Sequence, residues 1–393
     1  MSAVARKRSR GIEAEELEHP TRAAGVHVRE LDWLMLIVMA LCCLGLAMAV
    51  SVRGAQLDYG GAMLIMRTQG TKLLFGLVAF LVAALTPIRL IRRVAMPLFF
   101  CAVAACLVPR LLGMGSHGAC RWIVIGSQQF QPVEPARFFL VLAVSWLLAR
   151  AGGSGLSDFR RGFLPAMGCA MLLAGALALQ PDNGNALLAV MLASCLALVA
   201  GVRFLHFAPM AVAGLGVIIF AATRHNYVRT RIDQLFNTAP DSQVGLGLIA
   251  VSSGGFFGRG LGQGWMKMNY VPEAHNDFVF AIIGEELGFC GSLFVLGSYT
   301  LFGYVCYRLI CSVKDPFLRY VVCGYALMIC MQAAVNLLVV SGWAPAKGID
   351  LPFVSTGGTS LVFSLAAVGL IGNAVRTDRA GAFHTMDESQ AYA

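Results

Sequence analysis

One apolar run with acidic residues in and beside it lies within residues 270–288, which read Y-V-P-E-A-H-N-D-F-V-F-A-I-I-G-E-E-L-G. Asp277 stands just before the apolar run, whereas Glu285 and Glu286 lie inside it. A carboxylate at the centre of a membrane helix costs roughly 2.5–3.5 kcal/mol to insert, so an acid in such a run is a candidate functional residue. Asn276 or Asp277 can cap the helix that the run predicts. The pattern therefore predicts Asp277 at a membrane surface, at the positive end of a helix.

The spacing of these acids separates their carboxylates. Asp277 and Glu285 would be about 12 Å apart along a helix that rises about 1.5 Å per residue, and Glu286 would face the opposite side. The three are not expected to converge on one reacting atom. Asp277, at the aqueous edge, is the candidate for chemistry. For Glu285 and Glu286 we favour a buried, hydrogen-bonded structural pair, with a direct role as the alternative.

Basic residues occur singly in the segments between apolar runs. Arginine and lysine bind phosphate through charge-assisted hydrogen bonds. For each of them the alternative is a solvated position that faces lipid headgroups. Lys347 stands between prolines in A-P-A-K-G-I-D-L-P, which indicates a short, stiff loop. The basic residues on the predicted outer side are Arg121, Arg137, Arg259, Lys267 and Lys347.

A glycine-rich run, S-S-G-G-F-F-G-R-G-L-G-Q-G, covers residues 252–264. Its glycine spacing is not that of a dinucleotide-binding fingerprint. The run could bring backbone N–H groups against a diphosphate, or it could form a tight re-entrant turn. Two acids, Glu134 in Q-P-V-E and Asp182 in Q-P-D-N, stand where helix starts are expected, which the helix dipole favours.

The composition of the chain indicates a membrane protein. It has 393 residues, of which 58% are hydrophobic and only 13% are charged. Such a chain is too apolar for a soluble domain. No nucleic-acid partner is expected, and neither His225 nor His275 has a companion at zinc-ligand spacing.

Ten apolar spans are predicted, so the fold class is all-α, a polytopic membrane protein with about ten transmembrane helices. Pro and Gly punctuate the outer loops, which also carry aromatic and apolar residues. We therefore expect them to be long, ordered loops that dip toward the membrane. The predicted spans are 33–52, 73–87, 94–112, 136–149, 163–179, 186–200, 207–222, 278–309, 320–340 and 359–375.

Lysine and arginine in the short loops predict the orientation, because they concentrate on the cytoplasmic side. With the N-terminus inside, most of them fall on one set of loops, and an even number of spans places both termini in the cytoplasm. Residues 1–31 are then a cytoplasmic tail, 32–376 the membrane domain and 377–393 a second cytoplasmic tail. Asp277 and the long loop 223–276 lie at the outer face.

One exposed acid, several cations and a membrane together suggest a reaction class. Glycoside hydrolysis usually needs two carboxylates. Transfer from a sugar diphosphate needs one base for the acceptor hydroxyl, and cations that neutralise the leaving diphosphate. The residues are compatible with glycosyl transfer between lipid diphosphates.

Five motifs together resemble the SEDS family (shape, elongation, division and sporulation), the FtsW and RodA peptidoglycan polymerases. The resemblance covers all ten spans in order. The P-E-A-H-x-D motif and the lysine in P-x-K-G are more similar to FtsW than to RodA. The five motifs are Q-P-V-E, Q-P-D-N-G, S-S-G-G-F-F-G-R-G-L-G, P-E-A-H-N-D-F-V-F-A-I-I-G-E-E-L-G and P-A-K-G-I-D-L-P-F-V-S-T-G-G.

The resemblance implies a polymerase of lipid II at the outer face, with inversion and undecaprenyl diphosphate as leaving group. It implies a divalent cation, Mg or Mn, whose ligands the sequence does not identify, and partners that include a class B penicillin-binding protein and other division proteins. The location implied is the bacterial cytoplasmic membrane, multi-pass, at the division site. Asp277 is the implied catalytic residue. The implied substrate-binding residues are Arg121, Glu134, Arg137, His275, Lys347 and Ser355.

Three departures from the family pattern concern local loop details: Val133 replaces a serine, Pro135 follows the glutamate, and Thr356 replaces a tyrosine. Two other functions stay open at this point. One is a flippase that moves lipid II across the membrane. The other is a non-catalytic division scaffold that positions a transpeptidase.

Overall fold

The computed structural model describes residues 29–52, 61–112, 121–125, 128–214, 216, 242–267, 276–345 and 347–391. In these ranges nine helices are long and apolar enough to cross a membrane. They are α1 (Arg29–Val52), α2 (Gly61–Leu85), α3 (Ile88–Leu111), α4 (Val133–Leu156), α5 (Leu164–Ala178), α6 (Asn183–Ala200), α9 (Val279–Ser312), α10 (Pro316–Val340) and α11 (Gly358–Ala391). Two shorter apolar helices are α7 (Phe204–Gly214) and α8 (Gln243–Ser253). The prediction of a polytopic helical protein is confirmed.

Some predicted boundaries are wrong. The second span was expected to begin at residue 73, whereas α2 begins at Gly61. The hydroxyl groups of Thr68 and Thr71 donate to backbone carbonyls one turn earlier, so these polar residues fit within the helix. The last span extends past its predicted end at 375, since α11 reaches Ala391. Most of the predicted seventh span beyond α7 lies outside the described residues.

A small β-hairpin precedes α4 and is an addition to the all-α prediction. Strands β1 (Ile123–Ile125) and β2 (Gln128–Phe130) pair antiparallel, with Ile123 opposite Phe130. The hairpin connects the segment around Arg121 to the start of α4, and so holds two predicted site regions beside each other.

Helices α9, α10 and α11 form much of the centre of the bundle. On α10, Tyr325 is fully buried, and its ring lies 4.9 Å from that of Phe138 on α4. Helix α2 lies against α11, where a methyl group on Gly369 would come within 2.4 Å of the carbonyl oxygen of Phe80. Small residues at such contacts allow membrane helices to approach closely.

Ion pairs tie the helices together at one end of the bundle. Arg92 contacts Asp315 at 2.6 Å, and Arg308 contacts Glu30 at 2.9 Å. Asp378 on α11 accepts from the backbone N–H of Asp315 at 2.8 Å. This end is opposite to Asp277, because Asp277 precedes α9 whereas Arg308 lies in its last turns. The described helices therefore have two distinct polar ends.

Helix α8 enters the bundle beside the first half of α9. A methyl group on Gly247 would lie 3.0 Å from the Phe278 ring, and one on Gly284 would lie 3.1 Å from Val251. The two segments thus run in the same direction, and the glycine-rich run then turns the chain back. This geometry agrees with the expectation of ordered loops that re-enter the protein.

Helix α9 is interrupted at Gly288, whose φ of 67° and ψ of −157° are not helical. Glycine adopts this backbone conformation without a side-chain clash. The glycine-rich run pairs with the interruption: the N–H of Phe289 donates to Gly255 O at 2.9 Å, and the N–H of Arg259 donates to Glu285 O at 3.0 Å. Backbone groups exposed by the break are therefore hydrogen-bonded within the protein.

Candidate active site

A polar cavity of about 220 Å³ lies at the end of the bundle where α4, α6 and α9 begin. Four of the predicted site residues, Asp277, Arg121, Glu134 and Arg137, line it together. They come from three separate segments of the chain. The remaining lining residues are Trp122, Gln129, Gln131, Asn185, Asn276, Gly348, Ile349 and Asp350.

The first turn of α4 supplies a buried ion pair. Glu134 accepts from Nη2 of Arg137, one turn further along the helix. Arg137 is only 1% exposed, and its Nε and Nη1 have no hydrogen-bond partner among the described residues. Unsatisfied buried donors are costly, so an anion that entered the cavity would gain charge-assisted hydrogen bonds from this guanidinium.

The start of α6 holds a second arginine in place. Asp182 caps the helix by accepting from the N–H of Asn185, as predicted for a helix-start acid. Arg121 donates from Nη2 to Pro181 O at 2.8 Å, and its Nε lies 3.9 Å from a carboxylate oxygen of Asp182. The cavity therefore has two guanidinium groups, each held next to a carboxylate.

The backbone around Asp277 is fixed by two neighbouring elements. Asn336 on α10 donates from Nδ2 to the carbonyl oxygens of Asp277 and Ile349, each at 2.8 Å. The hydroxyl group of Ser355 donates to Asn276 O at 2.7 Å. Helix α9 begins at Val279, so the carboxylate of Asp277 sits on the turn just before it, close to where the sequence predicts it.

The other predicted site residues have different positions. Ser355 is buried and lies outside the cavity wall, and its hydroxyl also accepts from the backbone N–H of Leu351 at 2.8 Å. The stem of Lys347 packs at the rim, where a methyl group on Gly184 would lie 3.0 Å from its Cδ. His275 lies outside the described residues. Substrate binding by all three stays a prediction.

Sequence reasoning missed several polar residues of the cavity. Asp350 lies within a motif that we singled out, P-A-K-G-I-D-L-P, Asn185 directly follows another, Q-P-D-N-G, and both line the cavity. Their signal was the same as that of Lys347 and Asp182, a polar residue in a proline-punctuated outer loop. Gln129 lies on β2 and had no such signal, because it reaches the cavity through the hairpin.

The glutamate pair inside the apolar run is structural, as favoured. Both Glu285 and Glu286 are fully buried. Glu285 accepts from the backbone N–H of Trp265 at 2.7 Å, and Glu286 accepts from that of Gly262 at 3.1 Å. The N–H groups of this loop therefore bind protein carboxylates, which supports the re-entrant turn over a diphosphate cradle.

Lys267 was one of five basic residues considered as phosphate ligands on the predicted outer side, with a solvated position that faces lipid headgroups as the alternative, and its position in the structure fits neither. Its side chain is fully buried and contacts Glu286 at 2.7 Å. Nζ also donates to the hydroxyl of Ser51 on α1 at 3.0 Å. The sequence places a lysine in a polar loop, but the loop folds back into the bundle, where a cation needs a buried partner.

The described residues do not provide a dedicated metal site. No group of three or more His, Cys, Asp or Glu side chains in the described ranges could hold a metal ion. The carboxylate of Glu134 is already paired with Arg137. The cavity is therefore poorly suited to bind a metal ion through protein ligands alone.

These features define a class: a multi-pass helical membrane protein with a candidate active site at one end of its helices. A sequence model of the FtsW, RodA and SpoVE family, described as cell cycle proteins, matches residues 32–380. The chain belongs to this family. The family resemblance inferred from the motifs is thereby confirmed.

Named relatives support the same assignment. The chain is 34% identical over 350 residues to a Trichlorobacter lovleyi protein named "Probable peptidoglycan glycosyltransferase FtsW", with 86% of this chain and 91% of the relative covered. It is 34% identical over 294 residues to stage V sporulation protein E of Bacillus subtilis, covering 73% and 79% of the two chains.

Two solved structures are similar in fold. One, described as "Structural coordination of polymerization and crosslinking by a peptidoglycan synthase complex", has a TM-score of 0.74 at 27% identity, covering 88% of this chain and 97% of the other. The other is the rod shape determining protein RodA of Thermus thermophilus, with a TM-score of 0.64 at 28% identity, covering 87% and 95%.

Proposed function

We propose that this chain is a peptidoglycan glycosyltransferase of cell division, which polymerises lipid II at the outer face of the bacterial cytoplasmic membrane. The observation that carries the proposal is the convergence of Asp277, Arg121 and Arg137 on one cavity. Relatives named peptidoglycan glycosyltransferase FtsW support the same activity. Formation of glycan from lipid II by the purified protein in liposomes, scored separately from translocation, tests it.

In the proposed reaction, the acceptor 4-hydroxyl attacks the anomeric carbon of the donor glycan. A new glycosidic bond forms, the bond to undecaprenyl diphosphate breaks, and a single displacement inverts the configuration. Asp277 takes the hydroxyl proton as general base. Arg121 and Arg137 stabilise the negative charge that develops on the departing diphosphate.

The proposal assigns the base to Asp277 rather than to the other two carboxylates of the cavity wall, Glu134 and Asp350. Glu134 is paired with Arg137, so its role in the proposal is to position that guanidinium. Asp350 lies against the following loop, where a methyl group on Gly357 would come within 2.1 Å of its Oδ2. Asp277 stands on the turn before α9, beside Gly348.

The divalent cation is proposed to bind together with the diphosphate of the substrate. Magnesium is commonly bound by one or two carboxylates together with substrate phosphates, so it does not require an all-protein cage. Asp277 and Asp350 are the carboxylates of the cavity wall that could contribute. Polymerisation measured with and without chelation of divalent cations tests this.

We expect Lys347→Ala to weaken the use of lipid II by roughly 10- to 100-fold, the range for losing a hydrogen bond between charged groups. Lys347→Arg should retain part of the activity, because arginine keeps the charge but differs in shape and hydration. Initial rates across lipid II concentrations would measure both. Wild-type rates in the two variants would show that this lysine does not bind substrate.

We expect the cavity to face the outside of the cell. Ser242 precedes α8 at the cavity end, whereas Ser157 follows α4 at the opposite end. In a background without other accessible cysteines, a cysteine at 242 should react with an impermeant maleimide added to intact cells, and one at 157 should not. Labelling at 157 but not at 242 would place Asp277 on the cytoplasmic side and would contradict the prediction.

The proposed partner is a class B penicillin-binding protein, a transpeptidase. Support comes from the fold shared with a structure described as a complex that coordinates polymerization and crosslinking. Co-purification of the full chain with the transpeptidase from the same cell, followed by a polymerisation assay of the pair, tests this partnership.

Transport of lipid II, the alternative function, gains no support from the polar residues inside the bundle. Gln332 donates to Asp350 O and to the hydroxyl of Ser360. Glu285 and Glu286 are saturated by backbone N–H groups and Lys267. Because these three side chains are held by hydrogen bonds within the protein, they are not available to line a polar path for the lipid headgroup.

A further inference from the structure

An apolar groove of about 440 Å³ lies between α1, α2 and α11, on the lipid-facing side of the bundle. Its walls include Met39 and Leu46 of α1, Leu73 and Leu77 of α2, and Leu365 of α11. Met39 is 59% exposed, and Leu77 is 46% exposed. A long, concave, apolar surface that opens to the bilayer is suited to a hydrocarbon chain.

The length of the groove indicates what kind of chain it fits. Its wall follows α1 from Asp32 to Leu46, which is about 21 Å at roughly 1.5 Å per residue. Half of the hydrocarbon core is only about 15 Å thick. The acyl chains of the outer leaflet reach on average only to the middle of the membrane, whereas a much longer isoprenoid chain is long enough to follow the whole groove.

The end of the groove nearer the active site is polar. A smaller cavity of about 20 Å³ shares Leu46 and Leu73 with the groove and is also lined by Gln69 and Thr356. Gln69 is only 6% exposed, and its Nε2 has no hydrogen-bond partner among the described residues. Lys72, one turn further on α2, donates from Nζ to Thr356 O at 2.8 Å. The apolar path thus ends at an amide donor and a cation, which suit a phosphorylated headgroup.

This polar end is connected to the candidate active site. The hydroxyl of Thr356 donates to Oδ1 of Asn276 at 2.8 Å. Asn276 lines the catalytic cavity next to Asp277. A lipid whose headgroup lay beside Lys72 would therefore be separated from the cavity only by this loop.

We propose that the groove between α1, α2 and α11 holds the isoprenoid chain of one lipid-linked substrate, with the diphosphate directed toward Gln69 and Lys72. The proposal rests on the proposed function, since it assigns a chain-binding site to the same reaction. It also predicts that the enzyme discriminates among substrates by the length of their lipid chain.

A matched pair of variants on one helix tests the groove. Leu77→Trp fills it, whereas Leu74→Trp changes a leucine that is 61% exposed on the same helix but is not part of the groove wall. The full-length protein in nanodiscs is labelled with photoreactive polyprenyl diphosphates of long and short chain. Leu77→Trp should lower labelling by the long-chain probe about tenfold, because several buried methylene groups lose contact. It should leave short-chain labelling unchanged, and Leu74→Trp should change neither.

Met39→Trp on the opposite wall of the groove serves as a second variant if Leu77→Trp does not fold. Equal long-chain labelling of the groove variants and Leu74→Trp would overturn the proposal. So would loss of labelling when phosphatidylglycerol is added in equal amount, because the groove would then bind ordinary phospholipid. Labelling does not require turnover, so it tests the groove separately from the reaction. If the groove variants lose long-chain labelling but the protein makes no glycan, the proposed function is wrong and the groove assignment stands. If the protein makes glycan but the groove variants keep long-chain labelling, only the groove assignment is wrong.

Discussion

Replacing Asp277 by asparagine should lower glycan polymerisation by roughly 10²–10⁴-fold, the usual cost of removing a general base. Asparagine has nearly the same size and keeps a hydrogen-bonding side chain, but it cannot accept the proton of the acceptor hydroxyl. Asn336 holds this turn through the backbone carbonyl of Asp277, and Ser355 holds it through that of Asn276, so the substitution leaves these two hydrogen bonds in place. The variant should therefore insert, fold and bind lipid II.

Two variants separate chemistry from folding in this experiment. Asp158→Asn is the matched control, because Asp158 accepts from Arg160 N–H at the other end of α4, and asparagine can cap as well. It should polymerise like the wild type. Glu285→Gln should lower thermal stability, because the carboxylate of Glu285 accepts the backbone N–H groups of Trp265 and Met266 on both oxygens, whereas an amide accepts on one. Normal polymerisation by Asp277→Asn would show that the base lies elsewhere, even though the family is established.

Lys267→Met should destabilise the protein by roughly 3–5 kcal/mol, the cost of breaking a buried ion pair by removing one partner. The side chains of Lys267 and Glu286 are both 0% exposed, so Glu286 would keep a buried charge without its cation. Thermal unfolding of the purified protein in detergent, compared with the wild type, measures the effect.

The double variant Lys267→Met with Glu286→Gln should recover much of this loss, because it removes both charges together. Arg259→Met is the control, since the Arg259 side chain is 42% exposed and lies 4.0 Å from Glu285, so its pair contributes little. A double variant no more stable than Lys267→Met would mean that the loss comes from side-chain packing rather than from the unpaired charge.

The helices and the candidate site were predictable from the sequence to different extents. Apolar runs locate the long helices, because a membrane span leaves a composition signal over about 20 residues. Asp277 and Glu134 could be named as site residues because each stands in a specific motif, whereas Arg121 and Arg137 could be named through the family resemblance. Their common cavity could not be derived, since it depends on how α4, α6 and α9 pack together.

The sequence indicated loops that re-enter the protein, but it did not reveal which residues they bury or that α9 is broken. Lys267 follows a polar, glycine-rich run, and nothing in its spacing distinguishes a loop in solvent from one folded into the bundle. Likewise, nothing in the sequence distinguishes Gly288, which interrupts α9, from the other glycines of this helix. Both features arise because distant backbone groups pair with each other, and such pairing leaves no periodic signal.

The interruption at Gly288 bears on how this chain enters the membrane during synthesis. Unpaired backbone groups in hydrocarbon cost several kcal/mol each, so the first half of α9 is poorly suited to insertion alone. The glycine-rich loop that pairs with it comes earlier in the chain and has already left the ribosome when α9 emerges. We therefore expect helix α8, the loop and the first half of α9 to insert together, because the loop that pairs with the break is synthesised before it.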